Sequence, residues 1–274
     1  MDAANLISRL SVSNDYVIRC DCLELLTALS ESSSALGPDS QDSPVQFGAG
    51  IDLAYIDPPF NTGARQQAEA GSFSDRWDSP EHYVQFLRPR IELIRGLLKH
   101  SGCILVHCDW RTSHHVRALL DDVFGPDSFV NHLIWAYGLG GSSTRRFARK
   151  HDDILFYGRT GAYHFEPPMV PSTSVRMNGR PKKATDVLDI PAINNMAAER
   201  TGYPTQKPLR LLEMLVKACS PSGGIVADFF CGSGTTLVAA CRTGRRWLGC
   251  DIGQDAVTIA RRRLAEARND RGDI

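Results

Sequence analysis

Short apolar runs recur along the chain, and most of them stop at an aspartate. Residues 16–20 run into Asp21, 51–56 into Asp57, 103–108 into Asp109 and 246–250 into Asp251. A run of this kind, 225–230, leads instead into Cys231 and Gly232. Runs of this length, bounded by polar or turn residues, read as buried strands. Segments of helical apolar spacing lie between them: 23–29, 83–100, 115–124, 209–219, 235–241 and 256–267. Pro89 falls inside 83–100 and predicts a kink or a late start there. Residues 129–137 and 154–157, rich in aromatic and branched side chains, read as two further strands. Strand and helix alternate at both ends of the chain, which predicts an α/β domain with a largely parallel sheet covered by helices. Three stretches read as loops: 31–50, rich in Ser, Gly, Pro and Asp; 61–79, polar with Gly63 and Gly71; and the flexible 138–143. Residues 167–200 carry Pro167, Pro168, Pro171, Pro181 and Pro191 and read as an irregular insertion.

The 274 residues suit one large α/β domain. An apolar share of 42% excludes wholesale disorder. No apolar run approaches the length that a membrane span needs, and the first ten residues lack a basic segment followed by an apolar one. The eight cysteines are scattered and form no paired C-x-x-C pattern, which speaks against structural zinc and for reduced thiols in a cytoplasmic protein. His107, His114, His115 and His151 match no metal-binding spacing, so no metal is expected. The net charge of zero hides an asymmetry. Between Gly138 and Lys207 eleven Lys and Arg face six Asp and Glu, which reads either as a polyanion-binding face or as a solvated surface.

Two turns carry candidate chemistry. In Phe230-Cys231-Gly232-Ser233-Gly234-Thr235-Thr236, small residues join a strand ending at Asp228 and its neighbours to a helix. Such a turn lets a ligand approach the backbone beside a helix N-terminus. Asp251, at the end of the next strand, stands where a carboxylate can accept ribose hydroxyls. The third glycine of a dinucleotide fingerprint and the lysine of a phosphate loop are both missing, so a nucleoside without polyphosphate fits best. A turn using glycine only for packing is the competing account. The second turn, Asp57-Pro58-Pro59-Phe60, offers a carboxylate and peptide oxygens but few donors, beside a flat ring. Acceptors beside an aromatic plate suit a planar heterocycle bearing an NH2 group; an ordinary proline turn is the alternative.

Together these turns resemble those of S-adenosylmethionine-dependent DNA amino-methyltransferases. The order, D-P-P-F before F-C-G-S-G, is similar to the circularly permuted β class. The likeness extends to Arg19-Cys20-Asp21-Cys22, His107-Cys108-Asp109, Tyr203-Pro204-Thr205-Gln206-Lys207-Pro208 and Gly249-Cys250-Asp251-Ile252, and so to nearly the whole chain. It implies a Rossmann-like methyltransferase fold over residues 1–274, with helices on both faces of a mostly parallel twisted sheet and an inserted target-recognition region at 138–200. Asp57, Pro58, Pro59 and Phe60 would then hold the target base. Phe230, Gly232, Ser233, Gly234, Thr235 and Asp228 would line the S-adenosylmethionine pocket, and Asp251 with Ile252 would take the ribose. Asp21 and Cys22 would meet the adenine, and Thr205, Lys207 and Pro208, with Asp57, would complete the methionine end. Arg145, Arg146, Arg149 and Lys150 would contact DNA phosphates. Phe60 stands where tyrosine is more familiar, and the recognition region is short.

The resemblance implies methylation of adenine N6 in double-stranded DNA with base flipping, and allows a homodimer and a cognate restriction endonuclease as partners. Cytosine-N4 methylation is the alternative, although Asp57 leans toward adenine because cytosine-N4 enzymes more often carry serine there. Cytosine C5 chemistry is excluded, because no Pro-Cys dipeptide occurs. A catalytically silent DNA-binding module has no physical need for both turns, and an RNA substrate is the remaining rival.

Overall fold

The computed structural model describes residues 16–35, 50–68, 71–138, 141–194 and 196–271. The chain opens with β1 (Tyr16–Arg19), α1 (Cys22–Ala35) and β2 (Ile51–Ile56). A hairpin of β3 (Ala64–Ala68) and β4 (Gly71–Asp75) follows, then α2 (Pro80–Leu97), β5 (Leu98–Cys108), α3 (Ser113–Phe124), β6 (Phe129–Ala136) and β7 (His151–Gly158). Three short strands come next: β8 (Met169–Pro171), β9 (Pro181–Lys183) and β10 (Val187–Asp189). The chain closes with α4 (Leu209–Cys219), β11 (Ile225–Asp228), α5 (Thr235–Arg242), β12 (Arg246–Asp251) and α6 (Gln254–Arg271).

Among the described residues, eight strands make one sheet in the order β1-β12-β11-β2-β5-β7-β6-β10. All neighbouring pairs are parallel except those that β7 makes with β5 and β6. The expected α/β architecture is therefore present, with one antiparallel strand. Period-2 alternation explains why the central strands are apolar throughout. In β2, Ala54 and Ile56 face one core while Leu53 and Tyr55 face the other. The first core is closed by Leu25 and Leu26 of α1, Leu87 and Ile91 of α2, and Val116 and Leu120 of α3. The second is closed by Leu212 and Val216 of α4, Val238 of α5, and Val257 and Ala260 of α6. Helices thus cover both faces.

Strand order reverses between β11 and β2, since the chain leaves β11 toward β12 and leaves β2 toward β5. The connections diverge there and leave a crevice beyond the carboxyl ends of the strands.

Four segments differ from the expectation. Residues 61–79 contain the β3–β4 hairpin, pairing Ala64 with Asp75 through Ala68 with Gly71; polar strands of this kind carry no apolar alternation to reveal them. α1 continues through Ala35 into the stretch read as a loop. Ser32 donates its hydroxyl to the Ala28 carbonyl at 2.8 Å, so serine is accommodated inside the helix; residues 36–49 lie outside the described residues. α2 neither starts late nor ends at 100. Ser79 caps it by accepting the His82 N–H at 3.3 Å, Pro80 occupies its first turn, and Pro89 sits inside it. Within 167–200, β10 is a true edge strand: Leu188 pairs with Trp135, and the Trp135 indole N–H donates to the Ile190 carbonyl at 2.7 Å. Strands of three residues are too short for periodicity to show. No helix among the described residues is long and apolar enough to cross a membrane.

Candidate functional site

The reversal point brings the two candidate turns together. Val226 and Ala227 of β11 pair with Leu53 and Ala54 of β2, so Asp228 and, two residues beyond its register position, Asp57 leave neighbouring strands at the same carboxyl edge. Above them lies a cavity of about 540 Å³, a volume typical of a small-molecule site. Asp57, Pro58, Pro59 and Phe60 line it from the β2 side. Asp228, Phe230, Gly232, Ser233, Thr235, Asp251 and Ile252 line it from the β11–β12 side. Asp21 and Cys22 reach it from the start of α1, and Thr205 and Lys207 from the segment before α4.

Two expected cofactor residues do not reach the cavity. Pro208 is the N-cap of α4. Gly234 is the left-handed N-cap of α5, with φ +77°, and a Cβ there would stand 2.7 Å from the Ala260 methyl of α6. Its bareness serves helix packing. Gly232, with φ +48°, does face the cavity, and the Tyr203 ring lies 3.1 Å from where its Cβ would be. Arg145, Arg146, Arg149 and Lys150 are outside the cavity, on the connection from β6 to β7 at the same carboxyl edge of the sheet.

The Asp251 carboxylate is held in place by two backbone donors, Gly232 N–H at 2.9 Å and Gly253 N–H at 2.8 Å. Asp228 accepts the Phe230 N–H at 3.0 Å, yet burial pushes its carboxyl up to about 7. From α6, the Arg263 guanidinium donates to the Ser233 carbonyl at 2.8 Å and to the Thr235 hydroxyl at 2.9 Å, bracing the turn from below. Burial lowers that guanidinium to about 10. Five carboxylates line the cavity (Asp21, Asp57, Asp75, Asp228, Asp251) against two cations, Arg90 and Lys207. Such a lining favours a ligand carrying positive charge.

On the β2 side, Lys207 Nζ donates to Asp57 Oδ2 at 2.5 Å and sits 5.1 Å from the Phe60 ring centroid. Phe60 also stacks on His107, 5.6 Å between centroids and 26° between planes. His107 is fully buried. Its Nε2 lies 3.1 Å from Asp152 Oδ2 and its Nδ1 lies 2.7 Å from the Tyr55 hydroxyl. A carboxylate only accepts, so Nε2 carries a proton toward Asp152. Tyr137 donates to the other Asp152 oxygen at 3.3 Å. Burial alone raises the Asp152 carboxyl, but the His107 bond and charge, with Lys207 and Tyr137, hold it below the ordinary range. The plate formed by Phe60 is thus backed by a fixed imidazole.

Sequence reasoning missed this His107–Asp152 support and the wall supplied by α2. Phe86 of α2 meets Trp77, just before the helix, at 5.1 Å with the rings tilted by 49°, and reaches Phe230 at 6.2 Å. Arg90 lies 3.9 Å over Phe86, donates to Asp21 Oδ1 at 3.0 Å and to Cys22 Sγ at 3.0 Å. The four-residue spacing of Phe86 and Arg90 on one helix face is the signal that could have found them.

Residues 51–262 match the family model of the N6/N4 DNA methylases. The Type II methyltransferase M.ScaI of Streptomyces caespitosus is 35% identical over 242 residues, covering 80% of this chain and 77% of the relative. The chain belongs to the N6/N4 DNA methylase family. M.HpaI of Haemophilus parainfluenzae, also a Type II methyltransferase, is 28% identical over 78% of this chain and 68% of its own. Two solved structures share the fold. M1.HpyAVI in complex with SAM superposes with a TM-score of 0.61 at 19% identity, over 90% of this chain and 98% of that one. The cytosine-N4-specific PvuII DNA methyltransferase gives 0.63 at 16% identity, over 94% and 92%. The family match contains both turns of this methyltransferase, while Cys20, Asp21 and Cys22 precede it and still line the cavity.

Proposed function

We propose that this site-specific DNA methyltransferase acts on the exocyclic N6 of adenine in double-stranded DNA, with S-adenosylmethionine as donor. The observation that carries the reading is the acceptor-lined slot of Asp57 and Pro58 beside the Phe60 plate, opening on a cavity with excess negative charge. The order of its turns supports β-class membership, and its Type II relatives support a role beside a restriction endonuclease.

The lining fits the donor. The carboxylate excess suits a sulfonium, and Asp251, already oriented by Gly232 and Gly253, suits ribose hydroxyls. The Trp77–Phe86–Phe230 wall with Asp21 and Cys22 suits a purine. S-Adenosylmethionine, when bound, supplies a methyl group activated by positive sulfur. The rest is alignment and charge stabilisation by the protein. The adenine amino nitrogen is conjugated with its ring and is a weak nucleophile. Its two N–H bonds can donate to the Asp57 carboxylate and the Pro58 carbonyl, drawing the nitrogen toward tetrahedral geometry. The same acceptors stabilise the positive charge that develops during attack. The base must leave the duplex to reach them, and Phe60, pinned by His107, offers it a rigid stacking face.

The test is incubation with labelled S-adenosylmethionine and mixed DNA, followed by mass spectrometry of the nucleosides. N6-methyladenine is expected. N4-methylcytosine would move the target to the other base of the family, and no modified nucleoside would remove the assignment.

Asp228 makes donor binding depend on pH. With its carboxyl near 7, it is protonated in mildly acidic solution, and a cationic ligand favours its ionised form. Affinity should therefore rise with pH through neutrality, by about three- to tenfold between pH ~6 and ~8. Calorimetric titration of the protein and of Asp228→Asn checks this: the variant should lose most of the slope.

A further inference from the structure

We propose that Phe147 enters the DNA base stack and fills the gap left by the extruded base, an inference that rests on the DNA-methylating function above. Phe147 is 98% exposed, an unfavourable setting for a phenyl ring. It lies in the run Arg145-Arg146-Phe147-Ala148-Arg149-Lys150. The other apolar side chains that stand almost wholly in solvent lack cations on both sides: Val175 has Arg176 after it but Ser174 before it, and Met196 follows asparagines and precedes two alanines and Glu199. Cations on both sides of an exposed ring match a polyanion whose interior offers flat apolar faces, which describes a nucleic acid.

The position agrees with the composition. Arg149 lies 3.3 Å from the Trp110 ring centroid, and Arg111 lies 4.9 Å from the same ring, so two guanidiniums meet Trp110. Trp110 follows the carboxyl end of β5, the strand beside β2, and stands three residues beyond His107, the ring that backs Phe60. The Tyr137 N–H donates to the Lys150 carbonyl at 3.1 Å, closing the base of the connection. Only Ala148 separates Phe147 from the anchored Arg149, a Cα reach of at most about 7 Å. The ring is thereby tethered at the same sheet edge as the base slot. Arg145 and Arg146 are exposed beside it and free to take phosphates. Extrusion of a base breaks its stacking on two neighbours, and a phenyl ring in the gap restores apolar contact with both.

The experiment uses the full chain and two fluorescent 24-base-pair duplexes of one sequence, intact or with one abasic site, and reads anisotropy. The abasic duplex presents the gap ready-made, so no methylation and no recognition sequence are required. The protein should prefer the abasic duplex by about tenfold, the equivalent of one stacked ring. Phe147→Ala should bind both duplexes equally, and Phe147→Trp should keep the preference. Equal binding by the parent protein, or an undiminished preference in Phe147→Ala, would overturn the proposal. Failure to bind either duplex would instead remove the DNA-methylating reading on which it rests. Circular dichroism of Phe147→Ala should be unchanged, because the side chain has no buried contact to lose.

Discussion

Asp57→Ala is expected to lower methyl transfer by about 10³-fold while leaving donor affinity within a few-fold of the parent. The carboxylate is the strongest acceptor in the slot, and it stands 19% exposed, largely out of water, where a hydrogen bond to developing positive charge is worth most. Removing it takes away one of two acceptors for the amino group and the negative charge that opposes the cation formed in the transition state. Asp57→Asn separates these effects: the amide oxygen still accepts, but the charge is gone. Its loss should be smaller, by about one order of magnitude. Initial rates of labelled-methyl incorporation and calorimetry of the donor make the measurement. Near-normal turnover in Asp57→Ala would place the chemistry elsewhere.

How far such a site can be read from sequence depends on the range of the interactions that build it. The alternation of strands and helices, and the aspartates that end the strands, follow from local periodicity, and the cavity collects Asp21, Asp57 and Asp251 as those ends suggest. The glycine turn is likewise local. The support of Phe60 is not: His107 comes from β5, Asp152 from β7 and Trp135 from β6, and only sheet pairing brings them together. Arg263 braces the turn from a helix whose polar face reads, in sequence, as solvated surface. Lys207 meets Asp57 across 150 residues. Gly234 shows the opposite error: the motif suggests a ligand contact, but the space it leaves is taken by Ala260.

Lys207→Met should cost about 2–4 kcal/mol of stability, among the largest effects of any single change at the site. The Lys207 and Asp57 side chains are only 9% and 19% exposed and meet at 2.5 Å. Breaking a buried pair leaves an uncompensated charge, which costs roughly 3–5 kcal/mol when burial is complete; the partial exposure of Asp57 reduces this. The remaining carboxylate would also face Asp228 and Asp251 across the same cavity with Arg90 as the sole lining cation. The double variant Asp57→Asn, Lys207→Met removes both charges and should recover most of the loss, so a double-mutant cycle in urea isolates the pair from the methylene packing of the lysine. The same pair shapes the chemistry. Lys207 engages Oδ2, and in the proposed function this leaves Oδ1 to accept from the amino group of the base. Lys207→Met releases the carboxylate to rotate, so turnover should fall about tenfold or more in protein that is still folded at the assay temperature. A variant as stable as the parent would show that Asp57 is oriented by its proline turn alone and owes nothing to the lysine.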